Sequence, residues 1–254
     1  MIKFLIFFLI ILLNYKLAIS RGIGETEITT EDGIEVFQEE KYYLLKKNVE
    51  ILSDELKLNA EFVKIFFEKD LYDIIELIAK DNVNFISNSY NIEGRGKNLK
   101  FNFKNQKILI NGIKSELFLE NTKMFSDGKI NVNNVEGSFL IEGSNSRLIN
   151  DNIFIKGSKI NGSFEMIDDK RNIGNLFVED KNKLNIKMDD IVMFSKKAVY
   201  NKRKSIIELF GDVEINRGNE IITGDYGILD TKKNSYKVSS SNSNKVKAII
   251  GSNE

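Results

Sequence analysis

The sequence predicts an all-β fold of antiparallel strands, on three observations. Apolar and polar residues alternate with period two along most of the chain, as in Leu99-Lys100-Phe101-Asn102-Phe103. Successive strand side chains point to opposite faces, so such a run is a half-buried strand. Ile is abundant and Ala scarce, a usage that favours strand over helix. Asn, Asp and Gly mark the intervals, and no Pro occurs to interrupt a ladder. With 42% apolar and 29% charged residues the chain is globular by composition, and 254 residues suit one large domain or two small ones.

In chain order, the first twenty residues read as an export signal. Met1-Ile2-Lys3 is a short positive start, Phe4 to Leu13 is unbroken apolar, and Ala18 and Ser20 put small residues at −3 and −1 of a cut before Arg21. The competing reading is an uncleaved anchor, although a spanning helix wants about 20 apolar residues and Asn14 and Lys16 interrupt this one. Strands are then expected around Val49-Glu50-Ile51, Leu56-Lys57-Leu58, Val83-Asn84-Phe85, Leu99 to Phe103, and Val213-Glu214-Ile215. Tight turns are expected at Asp32-Gly33, Asn111-Gly112, Asp127-Gly128 and Asn161-Gly162. Leu71, Ile74, Ile75 and Ile78 carry helical spacing. The stretch nevertheless runs without a break into Asp81-Asn82-Val83-Asn84-Phe85, so strand is the expectation.

That last string recurs. Lys47-Asn48-Val49-Glu50-Ile51 and Gly211-Asp212-Val213-Glu214-Ile215 have the same form, and each copy is followed by a second apolar pair. Repeated supersecondary units are the mark of stacked β architectures. No linker divides the chain before about residue 238. The organisation expected is a signal peptide over 1–20, one β domain over 21–238 and a polar tail over 239–254, with Val246 to Ile250 a loose last strand.

Composition narrows the chemistry. The chain has no His, Cys or Trp. No disulfide framework, thiolate nucleophile, Ser-His-Asp triad or Cys-ligated zinc is available, and no lipobox for a lipoprotein. Lys+Arg and Asp+Glu both number 37, so no large basic field draws nucleic acid. Asp168-Asp169 and Asp189-Asp190 read as solvated turns, and Gly94-Arg95-Gly96 as a strand bend. Lys196-Lys197 with Asn201-Lys202-Arg203-Lys204 reads as a solvated basic hairpin, lipid phosphates being the competing partner. Neither an enzyme nor a cofactor is expected.

Two blocks of residues resemble the LptA/OstA family of periplasmic lipopolysaccharide-transport proteins, with its organic-solvent-tolerance-like N-terminal domain. One is Ile28 to Val36 with Asn48-Val49-Glu50-Ile51 and Leu56 to Glu61. The other is Ala198-Val199-Tyr200, Leu209 to Gly218 and Ile221 to Gly227 with Asp230. Residues 100–190 keep the alternation without the motif, so extra strands or an insert are expected there. The resemblance implies an antiparallel β-jellyroll of two sheets in a V, open at both ends, whose apolar interior holds lipid A acyl chains. It implies a periplasmic carrier that relays lipopolysaccharide from inner to outer membrane. The implied partners are inner- and outer-membrane components of the same fold, and further copies stacked head to tail. An anchored inner-membrane component of that fold is one alternative, and a secreted structural β-sandwich is another.

The physical logic of a carrier suits these residues. Exposing a 12-carbon chain to water costs roughly 10 kcal/mol at ~0.8 kcal/mol per CH₂. An apolar groove offsets that without directional bonds. The inward-facing candidates for such a groove are Val49, Ile51, Leu58, Phe85, Phe101, Phe103, Ile207, Leu209, Val213 and Ile215. Each is equally readable as sandwich core, because an open groove and a closed core share one binary pattern. Thr26 to Thr30 and Tyr236 to Val238 are the candidate terminal edges for strand pairing with another chain.

Overall fold

A computed structural model describes residues 22–69, 73–167, 170–241 and 244–251. The export signal, Leu71 and Asp168-Asp169 lie outside the described residues. Period-two alternation becomes strand throughout, and no helix occurs among the described residues. The strands are β1 (Glu27–Thr29), β2 (Ile34–Phe37), β3 (Tyr42–Leu52), β4 (Leu56–Phe67), β5 (Ile74–Ser87), β6 (Ile92–Asn102), β7 (Lys107–Asn111), β8 (Ser115–Leu119), β9 (Thr122–Ser126), β10 (Lys129–Asn133), β11 (Ser138–Asn150), β12 (Ile153–Ile167), β13 (Lys170–Met188), β14 (Ile191–Asn201), β15 (Ile206–Arg217), β16 (Glu220–Asp230), β17 (Ser235–Ser239) and β18 (Lys247–Ile250). All pair antiparallel. Ile74, Ile75 and Ile78 lie in β5, so alternation prevails there over helical spacing.

Most long strands serve two sheets. Their ladders shift register near mid-length, for example between Lys46 and Val49, Lys80 and Val83, and Phe210 and Val213. Three of these corners are the repeated string. Lys47 and Asn48, Asp81 and Asn82, and Gly211 and Asp212 are consecutive residues with positive φ, between 46° and 74°. Two left-handed residues in succession turn the strand sharply, and Asn, Asp and Gly tolerate that conformation best. The chain thus bends along one common fold line. The first sheet starts at β2, takes one half of each long strand together with β7 and β10, and ends at β17. The second starts at β1, includes β8 and β9, and ends at β18.

The middle third follows the same plan with shorter pieces. Residues 98–102 of β6 pair with β7, and 92–95 pair with β8. Residues 138–142 of β11 pair with β10, and 147–150 pair with β9. Here the crossing between sheets is made by the linkers at Asn111-Gly112 and Asp127-Gly128. The Asn161-Gly162 turn is corrected: both residues lie inside β12. Gly162 is needed for space there, since a Cβ would fall 2.6 Å from the Asn175 carbonyl oxygen and 2.6 Å from the Phe139 ring.

The inner faces of both sheets meet in one core. Phe85 of the second sheet lies edge-on to Phe101 of the first, with centroids 5.5 Å apart. At Gly94 an added Cβ would stand 2.5 Å from Ile110 Cδ1 across the interior, so the facing isoleucine takes the space of a side chain. Dense apolar packing of this kind stabilises the fold at roughly 25 cal/mol per Å² removed from water.

Candidate functional site

Away from the fold line, the free margins of the two sheets face each other as the rims of a mouth. Toward the N-terminal end these rims stand apart around a cavity of about 670 Å³. Tyr43, Ile65, Ile74, Leu77 and Phe103 of the first sheet line one wall. Ile51, Leu56, Ser87 and Tyr90 of the second line the other, and residues 24–26 with Ile28 border it. The Gly24 N–H donates to the Asp54 carboxylate at 2.8 Å and holds the segment before β1 at this border. The walls are mainly apolar and aromatic, and no acidic cluster capable of holding a metal occurs among the described residues. The arrangement can shelter an apolar ligand.

Toward the middle and the C-terminal end, side chains join the rims. Arg171 at the first-sheet rim lies 4.0 Å from the Glu120 carboxylate in the β8–β9 turn of the second. Arg217 at the second-sheet rim donates from Nη1 to the Asn234 carbonyl at 3.4 Å, and from Nε to Asp190 at 2.8 Å. That guanidinium holds the Asp190 carboxyl below its usual range. The Tyr236 hydroxyl, from the first sheet, donates to the Glu220 carboxylate of the second. Burial, and then this hydrogen bond, push the Tyr236 phenol up to about 12.

The ten groove candidates all face the interior, and nine of them are at most 2% exposed. Val49, Ile51, Leu58, Phe85, Val213 and Ile215 come from the second sheet, and Phe101, Phe103, Ile207 and Leu209 from the first. Phe103 is partly buried against Phe101, with ring centroids 4.2 Å apart. Of the ten, Ile51 and Phe103 line the cavity. Tyr43, Ile65, Ile74, Leu77 and Tyr90 were not among the candidates. Tyr43 and Ile74 lie at strand ends and Tyr90 in a turn, whereas Ile65 and Leu77 lie within β4 and β5, so no single sequence pattern marks them.

The other expected features are dispersed. Asp189 lies in a rim turn and accepts from Asn152 at 2.6 Å. The basic hairpin divides between the two ends of its strand half. Lys196 pairs with Asp212 at the fold line, 2.7 Å apart, whereas Arg203 reaches Glu165 at the rim, 3.0 Å away. Thr26 to Thr30 includes β1, whose one partner among the described residues is β3. Tyr236 to Val238 lies in β17, whose one partner among them is β16. Both are terminal strands of their sheets.

No protein-family model matches the chain, and no curated protein does. Among solved structures the chain is similar to the crystal structure of LptH, the LptA homologous periplasmic component of the conserved lipopolysaccharide transport device from Pseudomonas aeruginosa. The TM-score is 0.44 at 9% identity, and the match covers 52% of this chain and 95% of that one.

Proposed function

We propose that the chain is a non-enzymatic periplasmic carrier that shelters the acyl chains of lipopolysaccharide between its two sheets and relays them from inner to outer membrane. The observation that carries this reading is the apolar mouth at the N-terminal end, open where the rims are not joined. Its volume of about 670 Å³ lies within the ~300–1,000 Å³ range of pockets that bury small ligands. The resemblance of the Ile28 to Glu61 block to the LptA/OstA family supports it, since β1, β3 and β4 of that block border the mouth. Terminal strands at both ends of each sheet suit pairing with further copies, or with membrane components of the same fold.

The test is a photo-crosslinking residue placed at Phe103 or Leu56 in the full chain in cells, with Lys57, on the outer face, as control. The carrier reading expects lipopolysaccharide adducts from the two cavity positions and none from Lys57. Adducts from Lys57 alone, or from no position, would sink it. A second reading, a closed structural β-sandwich, is favoured by the packing of nine candidates at 2% exposure or less. It expects no adducts, and lipopolysaccharide arriving normally at the cell surface after the chain is depleted.

A further inference from the structure

The outer faces of the two sheets differ in charge along the same strands. On the first sheet, Lys129, Glu142, Lys159 and Glu179 stand on neighbouring strands β10 to β13 and alternate in sign. Lys129 lies 2.6 Å from Glu142, and Lys159 lies 3.8 Å and 3.9 Å from Glu142 and Glu179. These charges are mutually neutralised. Strands β11 to β13 continue into the second sheet, joined there by β9. The outward ladder positions become Lys123 and Phe125 on β9, Arg147 and Ile149 on β11, Lys156 and Phe154 on β12, and Asn185 and Lys187 on β13. Four cations occupy these eight positions and no anion does.

None of the four takes part in an ion pair among the described residues. Arg147 Nε is buried without a hydrogen-bond partner, and its guanidinium lies over the Phe125 ring, 4.9 Å from the centroid. Acids recur at the margins, at Glu116 on β8, Glu214 on β15, and Asp151 and Asp189 in the rim turns; Glu214 is already engaged by Lys183 at 2.8 Å, and the two aspartates accept from Asn121 and Asn152. At ~4.8 Å per strand the cationic field spans roughly 14 Å across the sheet.

We propose that this face of the second sheet docks on an anionic lipid bilayer surface. Cations set among half-buried rings fit a headgroup layer, where phosphates meet the charges and the apolar rings contact the boundary beneath. A single-stranded nucleic acid would stack its bases on free ring faces. Here Arg147 covers Phe125, and Phe118 meets Phe125 edge to face at 71°. The docking is mainly electrostatic and weakens with salt. It does not depend on what the interior binds.

The test uses the full chain with vesicles of phosphatidylcholine, with and without phosphatidylglycerol, and reads lysine reactivity toward an amine reagent. Anionic vesicles should protect Lys123, Lys156 and Lys187 while leaving Lys129 and Lys159 reactive, and high salt should remove the protection. The triple variant Lys123→Gln/Lys156→Gln/Lys187→Gln should show at least about tenfold less of the anion-dependent binding, and Lys129→Gln/Lys159→Gln should bind as the parent does. Because the readout is local, membrane attachment through the apolar start of the chain does not imitate it. Equal protection on both sheets, protection by neutral vesicles, no protection, or protection by a single-stranded oligonucleotide or an acidic polysaccharide but not by vesicles would overturn the proposal.

Discussion

Phe101 sits where three rings meet. Phe85 and Tyr90 approach it edge-on at 5.5 Å, and Phe103 lies 4.2 Å away. Truncating it leaves a cavity between the sheets, so Phe101→Ala should cost about 3–5 kcal/mol, read from a denaturant midpoint. Gly162 presents the opposite problem. Its added methyl would meet backbone oxygen at 2.6 Å, and Gly162→Ala should cost about 1–3 kcal/mol by the same measurement. Tyr236 links stability to pH. Its phenol is raised from 10.0 to about 12 in the fold, so the folded state favours the protonated form. The contribution is complete below pH 10.0 and is lost as pH rises through about 12. Tyr226, bonded to Glu208 at 2.5 Å, is raised to about 12 as well. The double variant Tyr226→Phe/Tyr236→Phe should therefore show a flatter loss of stability across that window, measured by denaturation at a series of alkaline pH values. An unchanged slope would refute this account.

The unit of this architecture is a strand that bends once and contributes to two sheets. In β3, β5 and β15 the bend uses two left-handed residues, and in Gly211-Asp212 the first has no Cβ to resist, at φ 74°. Gly211→Val should lower stability by about 1–2 kcal/mol, whereas Gly211→Asn should cost less, because Asn tolerates this conformation. Comparison of their denaturant midpoints checks the order. A motif that looks in sequence like a strand start is therefore a corner. The short strands β7 to β10 reach the same geometry by cutting the bend out into linkers, and β11 to β13 bend at register shifts without a left-handed pair, so residues 100–190 keep the alternation and lose the repeated string. Asn161-Gly162 misleads because glycine has two uses: at Gly112 it serves a left-handed linker, and at Gly162 it clears space for a neighbouring strand.

Across the whole molecule, a continuous core closes the fold line while the opposite margin is joined by only a few polar contacts. Arg171 with Glu120, Arg217 with Asn234, and Tyr236 with Glu220 bring together residues from different sheets. Arg171→Ala should leave the core folded and raise amide hydrogen exchange along the β8–β9 and β12–β13 rims, with the fold line unchanged. A uniform rise across all strands would instead mark Arg171 as a global stabiliser.

By itself the sequence determined which side of each strand faces inward, because alternation with period two admits one assignment once one face is apolar. It displayed the repeated string too, but as a strand motif, and the structure shows that string to be a corner in β3, β5 and β15. Only the tertiary structure decided which inward residues are core and which border an opening. Leu58 and Ile51 obey the same pattern as direct partners on the adjacent strands β4 and β3, yet the first is sealed and the second lines the mouth. The difference lies in the separation of the two rims, which is set by contacts between residues far apart in the chain, such as Arg171 and Glu120. No local pattern carries that distance.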